Sequence, residues 1–540
     1  MKGLNLNKLY TVFLAIVFSL SVVGMTRVHC GSAKDNSVWG GMDVNYVNEF
    51  GMSAIVLAVL AFVIFLFMIR FSEKYCCGLI TRISSSAQEQ NRKKIVLFWG
   101  IILFVVWIPY YLSYYPGGVY SDTLTSISYI RSDTLTNRHP ICYTILIGLF
   151  MYIGELCGKD LTWSVGLFTI TQMFILGCEF LYCISWMVKH RVNKSVRIAT
   201  ALFWIFFPLI PLYSISVWKD TPFCMAVLFW TPFIIDLYLE MLDISFRAKT
   251  IVGFLIGGIL TAFTRNNGIY VVIFVVFVEL ILILKRMWID KGNRCLGMCS
   301  AGMLFAILFI QGPVYDMLGI SQTEGVENFG IPLQQIGAVV AYDGHITEEQ
   351  KENINRFIPY ENIKGHYSPM LADDLKWYAG LNGQYLEEHE DEFLRLWWEL
   401  LWQNPSIYIK SYMMATAGFW NVDVSTGDAY VQTFIWNESS GIVQKDYFSE
   451  LFGFSFRHFT DPRRYISCAW FFWFFFVSAW FCMKHYGWKS IFPFTPQLGI
   501  WITIMIATPI AASLRYIAAL MFTLPFVIII PMLLERTKQE

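Results

Sequence analysis

A chain of 540 residues that is 56% hydrophobic, 17% aromatic and 15% charged is too apolar for a soluble globular protein, in which about a quarter of residues carry charge. Forty basic residues balance forty acidic ones, so bulk charge gives no reason to expect a nucleic-acid partner. The class that remains is an all-α polytopic membrane protein, because hydrocarbon leaves a spanning backbone few ways to satisfy its own polar groups.

A helix needs roughly 17–25 apolar residues to cross a bilayer. The first apolar run, residues 9–23, follows Lys2 and Lys8 as a signal peptide would, but no small-residue cleavage site is convincing, and a retained span is expected. A polar loop over 27–48 leads to a second run, 52–69. A basic stretch with Arg70, Lys74, Arg82, Arg92, Lys93 and Lys94 then anchors the cytoplasmic side, so that 95–112 runs outward.

A dense polar stretch comes next, YPGGVYSDTLTSISYIRSDTLTNRHP over 115–140, with Asp122, Arg131, Asp133, Arg138 and His139. The apolar segment 141–157 is short and begins after His139-Pro140. If it crossed, Lys189, His190, Arg191, Lys194 and Arg197 would land outside, so it is expected to lie at the outer interface. The runs 161–188, 198–213, 222–242, 250–264, 268–284 and 296–311 then alternate in direction. They leave Arg247, Lys249, Lys285, Arg286, Lys291 and Arg294 on the cytoplasmic side.

Residues 313–464 are mixed in polarity and expected outside as a mostly helical soluble segment. A capping box at Thr347 and Gln350 starts one helix, and 387–402 reads as an amphipathic helix stopped at Asn404-Pro405. Three last runs, 465–483, 494–512 and 516–534, bring the expectation to about twelve spans, with both termini cytoplasmic. The chain thus divides into residues 1–94, a membrane core 95–312 with an outer loop 113–160, the segment 313–464, and residues 465–540. Twelve cysteines are scattered: Cys76 and Cys77 are adjacent in the basic stretch, Cys30 is placed outside, and no spacing suggests a disulfide framework or a zinc site.

Ionisable residues at the outer ends of the spans need a reason. They are Asp122 and His139, Lys219 and Asp220 in SVWKDTPF, Arg265 with Asn266 and Asn267 in TRNNGIY, and Arg515 before Tyr516 in SLRYIAAL. Each alone suits an ordinary turn. Together, Lys219, Arg265 and Arg515 suit a phosphate or diphosphate, and Asp122 suits a general base, with Asp133 the alternative. No nucleotide-sugar pool exists outside the cytoplasm, so a glycosyl donor there must carry its own membrane anchor, as a polyprenyl phosphate-linked sugar does. The acceptor would be a cell-envelope glycan or protein.

The phrases PGGVYSD, NRHP, WKDTPF, RNNGIY and GIPLQQIGAVV, in this order, resemble the GT-C superfamily of membrane glycosyltransferases and, in detail, an uncharacterised bacterial multispanning family close to it. The resemblance runs from about residue 95 to 516. It implies transfer of a sugar from a lipid phosphate with inversion. Asp122 matches the catalytic base, and Lys219, Asp220, Arg265 and Arg515 match the donor-phosphate and second acidic positions, supported by His139, Asn266 and Tyr516. Two departures stand out. The acid follows the third span rather than the first, and it is a single Asp after Ser121 where the superfamily has a DE or DD pair, which leaves a divalent metal open as cofactor. A transporter or flippase for a lipid-linked saccharide is the rival reading, with Glu179 and Asp236 as in-span polar groups. A non-catalytic envelope protein is the third.

Overall fold

The computed structural model describes residues 6–29, 46–47, 52–84, 91–134, 136–321, 326, 329–422, 433–437, 440–460, 467–508, 510–511 and 513–539. Cys30 and most of the expected loop 27–48 lie outside them. The described chain is almost entirely helical.

Two helices open it, α1 (Leu6–Arg27) and α2 (Met52–Ile83), flanking a short strand pair, β1 (Val28–His29) with β2 (Tyr46–Val47). No Gly or Pro interrupts α2 after Ile69 until Gly78, so Arg70, Lys74 and Arg82 ride on the helix rather than in the loop expected there. Next is α3 (Arg92–Ser113), whose N-cap Asn91 accepts from the Lys94 backbone N–H at 3.2 Å.

The expected outer loop 113–160 is mostly ordered as β3 (Gly118–Val119), α4 (Ser121–Arg131) and α5 (Ile141–Leu156). Serine and threonine compete with a helix for backbone hydrogen bonds, so α4 is invisible to local propensity. It forms because Thr123, Ser126 and Ile127 are buried.

The core continues through α6 (Leu161–Lys189), α7 (Lys194–Phe206) and α8 (Leu209–Ser214). The expected span 198–213 is therefore broken. Pro208 holds Phe207 in an extended conformation, φ −71° and ψ 111°, and the helix cannot continue through it. After β4 (Ser216–Val217) come α9 (Asp220–Asp243), α10 (Ala248–Thr264), α11 (Gly268–Met287) and α12 (Lys291–Phe309), which passes through a π-helical turn around Pro313 into α13 (Tyr315–Met317).

The segment beyond folds as helices around a core of its own: α14 (Gly330–Ala341), α15 (Glu348–Phe357), α16 (Tyr360–His366), α17 (Asp373–Trp377), α18 (Gly383–Glu388), α19 (Glu390–Gln403) and α20 (Pro405–Thr416). Both bonds of the Thr347–Gln350 capping box are present. The helix expected over 387–402 breaks at His389, and Pro405 opens α20 rather than only ending its predecessor. A short α21 (Tyr447–Phe452) precedes α22 (Ala469–Tyr486), α23 (Thr495–Ile506), α24 (Ala518–Thr523) and α25 (Phe526–Gln539). The last three expected spans are thus shorter than expected or, at Pro525, interrupted.

Among the described residues, six helices are long and apolar enough to cross a membrane: Met52–Ile83, Arg92–Ser113, Leu161–Lys189, Asp220–Asp243, Gly268–Met287 and Lys291–Met317. At the other expected crossings, α1 runs unbroken over Leu6–Arg27, α10, α22 and α23 are 12 to 18 residues long, and the chain over 198–213 and 516–534 is interrupted. Carbonyls near two of the breaks are used by buried tryptophans: Trp107 Nε1 donates to Ile205 O at 3.2 Å and Trp204 Nε1 to Phe522 O at 2.9 Å.

The bundle has two chemically different ends. At one, Lys189, His190 and Arg247 surround Asp236 at 3.5, 2.9 and 3.5 Å. Lys484 and His485 meet Glu73 there, and Arg536 donates to the carbonyls of Ser84 and His190. Asp236 is accordingly a bridge between α6, α9 and α10. At the other end the starts of α4, α6, α9 and α11 meet the ends of α3 and α10. Helix α5 keeps its contacts at this end: Tyr143 Oη lies 2.9 Å from Thr123 Oγ1, Gly148 faces Ile130, and Gly154 faces Ser164.

Candidate active site

The second end is built on a small strand arrangement. At Gly117 the backbone takes φ +126°, and a Cβ there would lie 2.6 Å from the Ile215 carbonyl oxygen, so only glycine fits. The turn lets β3 run parallel to β4, with Gly118 opposite Ser216 and Val119 opposite Val217. The backbone of Val119 also exchanges hydrogen bonds with Phe434 and Trp436 at 3.2 and 3.0 Å. From α6, Gln172 Nε2 donates to the carbonyls of Ser214 and Ser216. Thr123 Oγ1 closes the joint on Val217 O at 2.6 Å. These ties set the first turn of α4, with Asp122, beside Trp218, Lys219 and the start of α9.

Three donors converge on one oxygen of Asp122. Lys219 Nζ lies 3.1 Å from Oδ2, Trp218 Nε1 3.1 Å and Arg515 Nη2 3.4 Å. Oδ1 has no partner among the described residues. Lys219 Nζ also lies 2.8 Å from His139 Nδ1. An ammonium can only donate, so Nδ1 accepts and the ring proton sits on Nε2.

Behind this layer Asp220, fully buried, binds two arginines. Arg265 Nη1 lies 3.0 Å from its Oδ1 and Arg515 Nε 3.5 Å from its Oδ2. The Tyr516 ring lies 5.1 Å from the Arg265 guanidinium and 5.0 Å from that of Arg515. Arg515 also lies 4.3 Å from the centre of the Trp218 ring, which in turn stacks on Tyr120 at 3.6 Å.

The electrostatics follow from this packing. Burial pushes the Asp122 carboxyl up, but Lys219, Arg515 and the Trp218 hydrogen bond outweigh it and hold the group well below the usual carboxylate range. Burial and then the Lys219 ammonium lower His139 to about 3, so its ring is neutral at physiological pH. Burial opposes the Arg515 charge, and Tyr516, Asp220, Asp122 and Asp373 more than offset this, raising its pKa.

Of the residues singled out in the sequence, Asp122, His139, Lys219, Asp220, Arg265, Arg515 and Tyr516 meet here. Asp133 does not. It sits exposed on the turn after α4 with φ +52°, and the alternative base is not brought to the cations. Asn266 has a positioning part: its Nδ2 donates to Asn137 O at 2.8 Å and holds the segment leading to His139. Two contributors were missed. Trp218 adjoins Lys219 and could have been found as an aromatic beside a candidate phosphate ligand. Asp373, whose charge adds to those favouring ionised Arg515, carried no sequence signal, because it comes from the distant helical segment.

Among the described residues no three His, Cys, Asp or Glu side chains converge as metal ligands. The bound oxygen of Asp122 already faces two cations, so the donor set does not fit the divalent metal that the resemblance leaves open.

A family described as being of unknown function, DUF6020, matches residues 128–462, well over half of the chain. The chain belongs to the DUF6020 family. The DUF6020 match takes in His139, Lys219, Asp220, Arg265 and Asp373, while Asp122 and Arg515 lie on either side of it. No curated protein and no solved structure matches the chain.

Proposed function

We propose that this protein is a membrane glycosyltransferase of GT-C type that takes a sugar from a polyprenyl-phosphate donor and passes it, with inversion, to a cell-envelope acceptor at the extracytoplasmic face. One observation carries the reading: a carboxylate with one oxygen that has no partner among the described residues stands beside Lys219 and Arg515, with Arg265 behind them, all drawn from separate parts of the chain.

Lys219 and Arg515 take the donor phosphate, and Arg265, buried behind them on Asp220, adds its charge from the second layer. The acceptor hydroxyl attacks the anomeric carbon as its proton passes to Asp122 Oδ1. The bond from that carbon to the phosphate oxygen breaks, and the electron pair leaves with the polyprenyl phosphate. The departing phosphate gains charge, which fixed cations stabilise more in the transition state than before it. Asp122 alone is a weak base, because the cations favour its ionised form. A bound phosphate answers their charge and restores the basicity of the carboxylate.

In this reading the Asp122 end of the bundle faces outward, and the end around Asp236 and Glu73, with the basic α2 terminus, faces the cytoplasm together with both termini. The interrupted helices complete about twelve crossings, and α5 lies along the outer interface. The test uses the full chain in vesicles with a polyprenyl-phosphate hexose and a cell-envelope glycan preparation. Polyprenyl phosphate is released and the glycan labelled by wild type, and neither occurs with Asp122→Asn. Donor turnover equal in the two proteins removes the reading.

A further inference from the structure

The helix α17 belongs to the segment 313–464, yet it is fastened to the charged site. Ala511 N–H donates to Met370 O at 2.9 Å, and Leu371 forms a bridge with Ile510, so the residues before α17 pair with the chain that leads to Arg515. Leu375 and the side chain of Lys376 are wholly buried and anchor the helix. Trp377 is 43% exposed, and the Asp373 side chain, paired with Lys376 at 3.8 Å, is 25% exposed. The Arg138 guanidinium lies 5.1 Å from the centre of the Trp377 ring, and the next residue, His139, holds Lys219. A continuous line of contacts thus joins Trp377 to Asp122.

We infer that α17 is the sugar-binding wall of this site, with Trp377 the stacking surface for the saccharide and Asp373 an acceptor for its hydroxyls. This rests on the glycosyltransferase reading and extends it to the part of the substrate beyond the phosphate. An exposed indole beside a part-exposed carboxylate matches the two faces of a sugar: C–H groups lie flat on an aromatic ring, and hydroxyls donate to the lone pairs of carboxylate oxygens, which a neighbouring ammonium does not use up. Arg138 holds the indole in place from the side of the segment that carries His139.

The test compares two probes bound to the full-length protein in nanodiscs, bare polyprenyl phosphate and a polyprenyl-phosphate hexose. Wild type binds the hexose-bearing lipid more tightly. Trp377→Ala and Asp373→Asn each reduce that preference about tenfold, the size of one lost stacking or hydroxyl contact. Trp377→Phe keeps most of it, and binding of the bare lipid is unchanged in all three. The inference is overturned if wild type shows no preference, if the variants keep it, or if they weaken both lipids alike, as loss of a membrane anchor would. Failure of wild type to bind either lipid overturns the glycosyltransferase reading itself, and the inference with it.

Discussion

Arg265 and Arg515 lie over one ring, that of Tyr516, and each reaches a different oxygen of the buried Asp220, at 3.0 and 3.5 Å. Two guanidinium groups this close repel each other, and Asp220 is what lets them share a pocket. Removing one partner of a buried ionic group leaves uncompensated charge, at a cost of about 3–5 kcal/mol. Asp220→Ala is therefore expected to lower thermal stability strongly, and Arg265→Met in the same chain to recover part of the loss. Unfolding curves in detergent check this. A mild effect of Asp220→Ala, or no recovery, would mean the arginines are not held by that carboxylate.

Asp122→Asn should leave the protein folded while reducing transfer by about 10²- to 10⁴-fold, the usual worth of a general base. The same variant reads the electrostatics. The folded-state pKa of Asp122 lies below its unfolded value, so the stability it contributes is complete above about pH 4 and is lost as pH falls further. The gap in melting temperature between wild type and variant should be constant from pH 7 to 5 and close below 4. A gap that closes near neutrality would contradict the cation cage around the carboxylate.

His139 acts in a different window. Its pKa is depressed to about 3 in the folded state. From there up to the unfolded value of about 6.5 the unfolded chain binds the extra proton, so stability rises with pH through that window. His139→Gln can still offer Lys219 an acceptor oxygen but cannot take up the proton. Its melting temperature should therefore vary less between pH 6.5 and 3 than that of wild type. Identical slopes would show that the imidazole is not kept neutral by its burial beside Lys219.

Gly117→Ala tests the joint that delivers Asp122 to Lys219. The substitution meets both a positive φ and the Ile215 carbonyl oxygen, with a cost of about 1–3 kcal/mol. Transfer should fall by more than the loss of folded protein accounts for, because β3 must move away from β4 and carry α4 with it. Wild-type turnover per folded molecule would show that the pairing does not position the base.

Much of the helical framework was legible in the chain. Apolar runs, the basic α2 terminus and the Thr347–Gln350 capping box are local features, and the structure bears out the helices at 92–113, 161–189, 220–243 and 268–287 nearly to the residue. The errors fall where a long-range contact overrode a local preference. Helix α4 reads as a polar loop and is helical because it packs, and 198–213 reads as one run although Pro208 divides it.

The amino-acid sequence by itself determined that this is a helical chain with apolar spans and a small set of ionisable residues at their ends, because hydropathy and charge are properties of each residue wherever it lands. Which of those residues meet was decided only by the tertiary structure. Asp122 and Asp133 are equivalent on paper, yet the β3–β4 pairing aims one at Lys219 and leaves the other in solvent. Asp373 adds its charge to the field around Arg515 only because a distant segment pairs with residues 510 and 511. A charge acts through its distance to other charges, and that distance exists only in the folded chain.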